Sequence, residues 1–566
     1  MAKNLLFRVQ SIRHSFVEWL SQHRIDSSIT SLLAITFAVI TYLNAQQIPD
    51  PILTDFYAQD VWFGSDIPTV FGNITSLQSD YGRNNKHPLF PLLVFPLVYG
   101  LGKVFHLEPV TAARLVIALV GAVWIGSLYV LFRLMRCPRL DATVFSLLGG
   151  VSAAAFWFVV PESFSFGSLS ILLSLILVAL AQHRKLDPVW YVLVGAFSLS
   201  ITLTNWMAGL LATIVNHRWK KALQITLVTF LVVNVLWVLQ RSIFRNSGYP
   251  FSLKTFVGEK KFMTAPESNG VLSAVSSFVY QTIVMPTIQL QDSVIRPDWV
   301  KLTTNTLAPG SGGFWGMVAV FAWTALLILG VWSFFTTKQQ PRLRIVLGLT
   351  ILGQLLIHSV YGRQETFIYS LHFAPLLLTV VAFSSLTRLR WVSLGLAGLL
   401  VISAGVNNRS QFNQLTAALQ THGTPQQQVQ SQMRLRPSEP WLRNAGHVIL
   451  ATPGSRAENK AYYEPGGSFS PVAGSFGVSI WMVDKDGIPK ATSDTIPLSQ
   501  IQQQFTNLTQ QQPPGILAKT EFYQSSWQPT KSGWRLTLNT PATSPTRPVL
   551  VIRSVGPVGG AVNSLN

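Results

Sequence analysis

Apolar runs of about 17 to 25 residues recur along this chain, and each is long enough to carry a helix across the ~30 Å hydrocarbon core of a bilayer. No packing of a soluble domain calls for so many of them. The 566-residue sequence is 49% hydrophobic and only 11% charged, where soluble domains carry roughly 25% charged residues. The expected fold class is therefore mainly α, a polytopic membrane protein with about 11 to 13 transmembrane or re-entrant helices. A formal net charge of +19 would favour nucleic acid as the partner of a soluble protein. Here many basic residues fall in short loops between apolar runs, where the positive-inside rule accounts for them. No nucleic-acid-binding motif is present. A single cysteine, Cys137, excludes an intramolecular disulfide. A cleavable leader is not expected, since the N-terminus is long and basic and no small-residue site follows the first apolar run.

Charge bias orders the chain. Residues 1–27 carry Lys3, Arg8, Arg13 and Arg24 and are expected in the cytoplasm. A first span at about 28–45 leads to an external loop, 46–87, which mixes aromatics (Phe56, Tyr57, Trp62, Phe63, Phe71) with acids. The run 89–105 is short and contains Pro91, Pro96, Gly100 and Gly102. Were it to cross, Arg133, Arg136 and Arg139 would lie outside, against the bias. An interfacial or re-entrant course brings them inside, together with Arg184, Lys185, the 218–221 and 338–344 clusters, and Arg388 to Arg390. That course requires 190–216 to be a broken pair turning near Thr204, Asn205 and Trp206. Irregular backbone at membrane depth is tolerated only where it is buried in protein or lines a cavity, so the turn points to an internal site.

Further spans are expected at 110–132, 142–160, 165–182, 222–240, 313–336, 343–361, 366–386 and 389–406. Residues 241–312 form a second external loop, in which Val271, Leu272, Val275, Phe278, Val279 and Ile283 follow the spacing of an interfacial amphipathic helix. The membrane domain is placed at 28–406. From 407 the composition turns to Gln, Ser, Pro and Gly, with β-like runs at 447–451, 478–483, 534–538 and 549–553 and a turn signal at Asp486-Gly487. Residues 407–566 are read as an external soluble β-rich domain.

The residues able to carry chemistry gather in the external segments. Lys86 and His87 precede Pro88, which suits the first position of a helix, and the free N–H groups of a first turn attract anions. This junction is a candidate phosphate site; an interfacial anchor with Lys86 snorkelling to the headgroups is the plainer alternative. Asp55, Asp60, Asp66 and Asp80 share the loop before it. Each is most simply a solvated acid, yet a carboxylate held at the membrane surface can act as a general base. Glu162, between two spans, is either exposed or a second acid of the site. Arg363 suits bidentate phosphate binding, or is a loop arginine at headgroup level. Glu365, Tyr369 and His372 share one helical face at i, i+4 and i+7. His372 would sit within the bilayer, where an ionisable group is by default functional and otherwise a packing residue with a partner. Arg241, Arg245, Lys254, Lys260 and Lys261 offer contacts to lipid phosphate from the second loop. HExxH, CxxC pairs, a P-loop and GxSxG are all missing from the sequence, which weighs against zinc hydrolase, ATPase and serine hydrolase. No cofactor is implied, and the residues leave open whether a divalent metal takes part.

Four features together resemble the GT-C membrane glycosyltransferases, the superfamily that includes protein O-mannosyltransferases and lipid A aminoarabinose transferases. They are the acid-bearing loop after the first span, the His87-Pro88-Leu89-Phe90 run, Ala113-Arg114-Leu115 opening the next span ahead of a basic turn, and a soluble domain after the membrane core. The likeness covers residues 28–250 best, the later spans loosely and the tail not at all. It departs from the family in having one acid in Asp55-Phe56-Tyr57, where paired acids are common, and His-Pro-Leu in place of His-Pro-Pro. The resemblance implies Asp55 or Asp66 as the acid that activates the acceptor, His87 as part of the motif before the next helix, and Glu162 as an acid that some members place between later spans. It implies transfer of a sugar from a polyprenyl-phosphate donor to a protein, glycan or lipid acceptor on the external face. Lys86, His87 or Arg363 would stabilise the departing phosphate. The expected setting is a bacterial inner (plasma) membrane, with membrane lipid as a partner and no nucleic acid. The alternatives are a transporter or flippase of lipid-linked sugar, or a scaffold whose membrane part is only an anchor.

Overall fold

Ion pairs at the two ends of the first long helix fix the course of the chain that follows it. The computed structural model describes residues 24–54, 60–77, 79, 86–252, 263, 270–292, 300–304, 307–362 and 366–422, and strand segments of the tail. Helix α1 (Arg24–Ala45) begins at Asp26, whose carboxylate accepts from Tyr129 Oη at 2.7 Å, Arg133 Nε at 2.9 Å and Arg139 Nε at 3.1 Å. After the far end of α1 come the short helices α2 (Asp50–Thr54) and α3 (Ile67–Thr75), then α4 (Phe90–Phe105) and α5 (Pro109–Leu134). Arg114, near the start of α5, reaches Ile48 O at 2.6 Å and Asp50 Oδ1 at 2.9 Å. Helices α1 and α5 are thus antiparallel, and the chain between them leaves and returns at one end of the bundle. With 16 residues, α4 is about 24 Å long and does not cross. The segment 89–105, expected to be interfacial or re-entrant, thus starts and ends at the same end of the bundle, and Arg133 and Arg139 lie beside Asp26.

Helix α6 (Arg139–Val151) departs from the expected single span at 142–160. It stops at Ser152, whose backbone is extended and whose hydroxyl donates to Gly149 O at 2.7 Å. The chain resumes as a 3-10 turn, Ala153–Phe158. Ala153 N and Ala154 N donate to Ile283 O and Thr282 O, both at 3.0 Å, so a distant loop supplies acceptors the helix would otherwise provide. The two pieces together measure about 31 Å, enough for one crossing.

Helix α7 (Ser163–Ala181) returns through the centre, buried on every side. Then come α8 (Pro188–Ile201), a 3-10 turn over Leu203–Asn205, and α9 (Trp206–Asn216). Helix α8 is about 21 Å long and α9 about 17 Å. The Tyr191 and His217 rings are 4.4 Å apart, so both helices start and finish at the basic end. Gly209 makes their close approach work, since a Cβ there would lie 3.3 Å from Gly195 Cα. This is the broken pair that charge counting requires.

Helix α10 (Trp219–Ile243) crosses with Leu227, Leu231, Val235 and Val238 exposed along its length, as a lipid-facing helix must be. The amphipathic helix α11 (Val271–Tyr280) follows, with Leu272 outward and Phe278 stacked on Phe373 at 4.6 Å. Residues 289–292 and 300–303 pair as antiparallel strands. Helices α12 (Phe314–Thr336), α13 (Pro341–Val360), α14 (Ser370–Ala382) and α15 (Arg390–His422) complete the bundle. At the basic end, Arg390 Nη2 meets the buried Asp141 at 2.8 Å.

Helix α15 runs unbroken past residue 406, where the composition changes. Asn407 and Asn408 spend their amides on a neighbouring loop rather than on ending the helix. Asn408 Nδ2 donates to Val151 O and Ile283 O, its Oδ1 accepts from Met285 N, and Asn407 Nδ2 donates to Met285 O, each at 2.8 Å. In the tail, strands 448–451, 547–555, 475–483 and 489–492 lie in that order in an antiparallel sheet, and 524–530 pairs with 533–539. The Asp486-Gly487 turn lies outside the described residues.

Among the described residues, eight helices are long and apolar enough to cross a membrane. With the two-part α6 crossing, the chain enters at the basic end near Arg24 and leaves α15 at the opposite end. Cysteine labelling in sealed vesicles tests this path. Cys137 is buried in the turn after α5, and burial pushes its thiol up to about 12, so its background reaction is low. Glu108→Cys and Gly248→Cys are expected to react from one side and Lys185→Cys from the other. Joint reaction of Glu108→Cys with Lys185→Cys would contradict it.

Candidate active site

Two stretches of irregular backbone meet at the non-basic end of the bundle, and each satisfies the other. One is the approach to α4, residues 86–89; the other is the break between α8 and α9. Leu89 N donates to Ser200 O at 2.9 Å, and Leu203 N donates to Lys86 O at 3.3 Å. Gln240, near the end of α10, donates to Pro88 O at 2.8 Å and accepts from Leu92 N at 3.3 Å. Proline and a helix break leave backbone groups that a bilayer cannot hydrate; here they are paired across the junction.

His87 is the pin. It is buried, with Nδ1 2.8 Å from Ile201 O. A carbonyl only accepts, so Nδ1 carries the proton. Nε2 faces Ser163 Oγ at 3.2 Å. Ser163 Oγ is also 3.2 Å from Glu162 Oε2, which accepts Ser163 N at 2.7 Å. Glu162 is fully buried at the N-cap of α7, where the helix end favours its negative charge. One hydroxyl proton thus serves two acceptors. A neutral His87 takes the hydroxyl's hydrogen bond; a protonated ring donates to Ser163, which then donates to Glu162. The chain can hold an added proton without moving a heavy atom. Glu162 is therefore not the exposed boundary acid that its position between spans allows.

Lys86 extends from this pin, with Nζ 5.7 Å from the centre of the Tyr361 ring. Gly362 follows with φ +73°, and a Cβ there would overlap the Tyr369 ring. Tyr369 closes the 3-10 turn Thr366–Tyr369, so the continuous α-helical face expected for Glu365, Tyr369 and His372 is absent: α14 starts only at Ser370. Its ring instead lies 3.7 Å from His358 and 6.5 Å from His372. His372 is buried one turn below the start of α7, where its Nε2 accepts from Asn205 Nδ2 at 3.4 Å. Gly167 makes room for both: a Cβ would sit 2.6 Å from His372 Nε2 and 2.9 Å from Asn205 Nδ2.

Of the loop acids, Asp60 holds a left-handed backbone (φ 67°) in a turn closed by Asp60 N to Ser65 O at 2.9 Å. That turn drives Phe63 against Phe367 at 4.7 Å and Trp157 at 6.3 Å. Asp66 is the N-cap of α3 but makes no side-chain cap hydrogen bond. Asp55, Asp80, Lys254, Lys260, Lys261, Arg363 and Glu365 lie outside the described residues. Arg241 donates to Ser247 O at 2.8 Å and so organises its own loop. The structure brings Lys86, His87 and Glu162 into one cluster and Tyr369 and His372 into an adjoining one. Sequence reading missed Ser163, Gln354 and His358. His358 carried the same signal as His372, an ionisable group within an apolar run; a bridging serine has none. Among the described residues, no group of three or more His, Cys, Asp or Glu is placed to hold a metal ion.

No family model and no curated protein matches the chain. Among solved structures it is similar to ArnT from Cupriavidus metallidurans, crystallised with undecaprenyl phosphate. The TM-score is 0.41 at 16% identity, over 72% of this chain and 81% of that one.

The pin makes its own prediction. His87→Ala frees the Lys86 junction from both α7 and the re-entrant turn. A displacement of about 1 Å at a positioning group costs about 100-fold in rate, and a loss of that size in kcat is expected, with the fold retained by thermal denaturation. His87→Gln, which can still donate to Ile201 O, is expected to recover part of it.

Proposed function

We propose that the chain is an integral membrane glycosyltransferase, moving a sugar from a polyprenyl-phosphate-linked donor to an acceptor at the face opposite its basic loops. One observation carries this reading: a cation, Lys86, is set at the non-basic end of the bundle by a buried His87–Ser163–Glu162 chain, where two backbone breaks meet. The motif resemblance supplies the reaction class. Asp55 or Asp66 takes the proton from the acceptor hydroxyl or amine, whose oxygen or nitrogen bonds to the anomeric carbon. The bond from that carbon to the phosphate oxygen breaks, its electron pair stays on the phosphate, and polyprenyl phosphate departs. Lys86 and Arg363 balance the charge it gains. A single displacement inverts the anomeric carbon. Since positive loops face the cytoplasm, the N-terminus is cytoplasmic and the site external, in a bacterial inner membrane. The tail continues from α15 at the site's end of the bundle, as an external β-rich domain that binds acceptor.

The broken pair α8–α9 also supports a second reading, because transporters build substrate sites from discontinuous helices. Purified protein in vesicles, given a polyprenyl-phosphate-linked hexose labelled in the sugar and a cell-envelope extract as source of acceptor, separates the two. The enzyme releases polyprenyl phosphate, at a rate lowered about tenfold or more by Lys86→Met. Label that stays on the lipid and appears in the other leaflet identifies a transporter and overturns the enzyme.

A further inference from the structure

Inside the bundle, a group of buried polar atoms has a donor and acceptor balance that specifies what it binds. Gln354 Nε2 donates to Asn205 Oδ1 at 3.1 Å, and Asn205 Nδ2 faces His372 Nε2 at 3.4 Å. An amide nitrogen only donates, so His372 Nε2 accepts and the ring proton lies on Nδ1. Among the described residues, His372 Nδ1 and Gln354 Oε1 have no hydrogen-bond partner, and neither ring nitrogen of His358 reaches one at full hydrogen-bond geometry, although one is turned to the Tyr361 backbone. Gln354 is 0% exposed and the two histidines 2% each, so bulk water does not serve them. Buried polar groups are nearly always paired, which makes open atoms on three neighbouring side chains a site with something to hold.

The side chains are neighbours. His358 is one turn beyond Gln354 on α13, and the Tyr369 ring lies 3.7 Å from His358 and 6.5 Å from His372. A neutral imidazole offers one donor and one acceptor. The open set is therefore mixed: His372 Nδ1–H donates, while Gln354 Oε1 and the His358 nitrogen turned away from Tyr361 accept. An anion would satisfy only the donors and face the glutamine oxygen; a cation would satisfy only the acceptors. A hydroxyl does both. Tyr369 also abuts Gly362, which follows the tyrosine under Lys86, so the group adjoins the junction assigned to phosphate.

We propose that Gln354, His358 and His372 form a subsite for a neutral, hydroxyl-rich group. Given the glycosyltransferase reading, on which this assignment rests, that group is the sugar of the lipid-linked donor. Water has the same hydrogen-bonding chemistry, and binding measurements separate the two. The probes are polyprenyl phosphate and the same lipid bearing one glucose, each titrated into full-length protein in lipid nanodiscs.

Wild type is expected to bind the glucosyl lipid at least tenfold more tightly than the bare one. Gln354→Leu and His358→Phe, each removing hydrogen bonds to the sugar, are each expected to cut that preference about tenfold and to leave bare-lipid affinity unchanged. His358→Asn, which again supplies a donor and an acceptor, restores part of it and guards against a mere folding defect. An equal preference in wild type and both leucine and phenylalanine variants, or no preference in wild type, means the group holds only water and overturns the subsite. Loss of preference in the variants, with no polyprenyl phosphate released by wild type, leaves the subsite standing and removes the transferase reading instead.

Discussion

Exchange of Asp55 or Asp66 for asparagine is expected to lower sugar transfer by 10²- to 10⁴-fold at one of the two positions, the range of general-base catalysis. The other exchange is expected to leave the rate within about threefold, as substitutions away from a site generally do. Asparagine keeps the size and polarity of aspartate but cannot take the acceptor's proton. At Asp66 the exchange keeps the shape of the side chain. The residue is the N-cap of α3, a position where asparagine serves as well as aspartate, and its carboxylate makes no cap bond. A fall in rate there with an unchanged thermal midpoint reports chemistry rather than unfolding. The measurement is the initial rate at saturating donor, with protein amount matched by monodisperse elution. Full activity in both variants would remove these aspartates from the mechanism and direct attention to Glu162 and Glu365.

The second large effect is on stability and lies at the other end of the bundle. Arg390 makes three contacts with the Asp141 carboxylate, at 2.8, 2.9 and 3.1 Å, and Asp141 is only 1% exposed. These bonds tie the start of α15 to the start of α6. Arg390→Met leaves a buried carboxylate without its cation, and breaking such a pair from one side costs about 3 kcal/mol or more. A clear drop in the thermal midpoint in detergent is expected. The double variant Arg390→Met/Asp141→Asn, which also removes the orphaned charge, is expected to recover more than half of the loss. If the single variant melts with wild type, the pair does not hold these helices together.

Much of the path of the chain could be read from charge and from where proline and glycine interrupt apolar runs. The short course of α4, with Pro91 and Pro96 in it, and the broken pair α8–α9 both follow from keeping Arg133, Arg184 and Arg218 on one side. The spacing of Val271, Val275 and Phe278 located α11. Breaks set by distant partners were not legible. Ser152 ends α6 because Thr282 and Ile283 offer carbonyls to the next residues, and no local pattern announces that. Asn407 and Asn408 look like loop formers by propensity, yet they continue a helix because their amides have tertiary work at Met285 and Ile283. In the site, Lys86, His87 and Glu162 were legible as chemical types, but the serine that joins them was not. His358 was legible in principle, on the rule that singled out His372.

Photo-crosslinking with a polyprenyl phosphate carrying a diazirine beside the phosphate tests the location of the reaction centre most directly. Label is expected on peptides containing Lys86 to Pro91, Leu203 to Asn205 and Tyr361 to Tyr369, competed by unmodified polyprenyl phosphate and reduced by Lys86→Met. Competed label confined to the basic end, at Arg133 to Arg139 and Lys338 to Arg344, would contradict it.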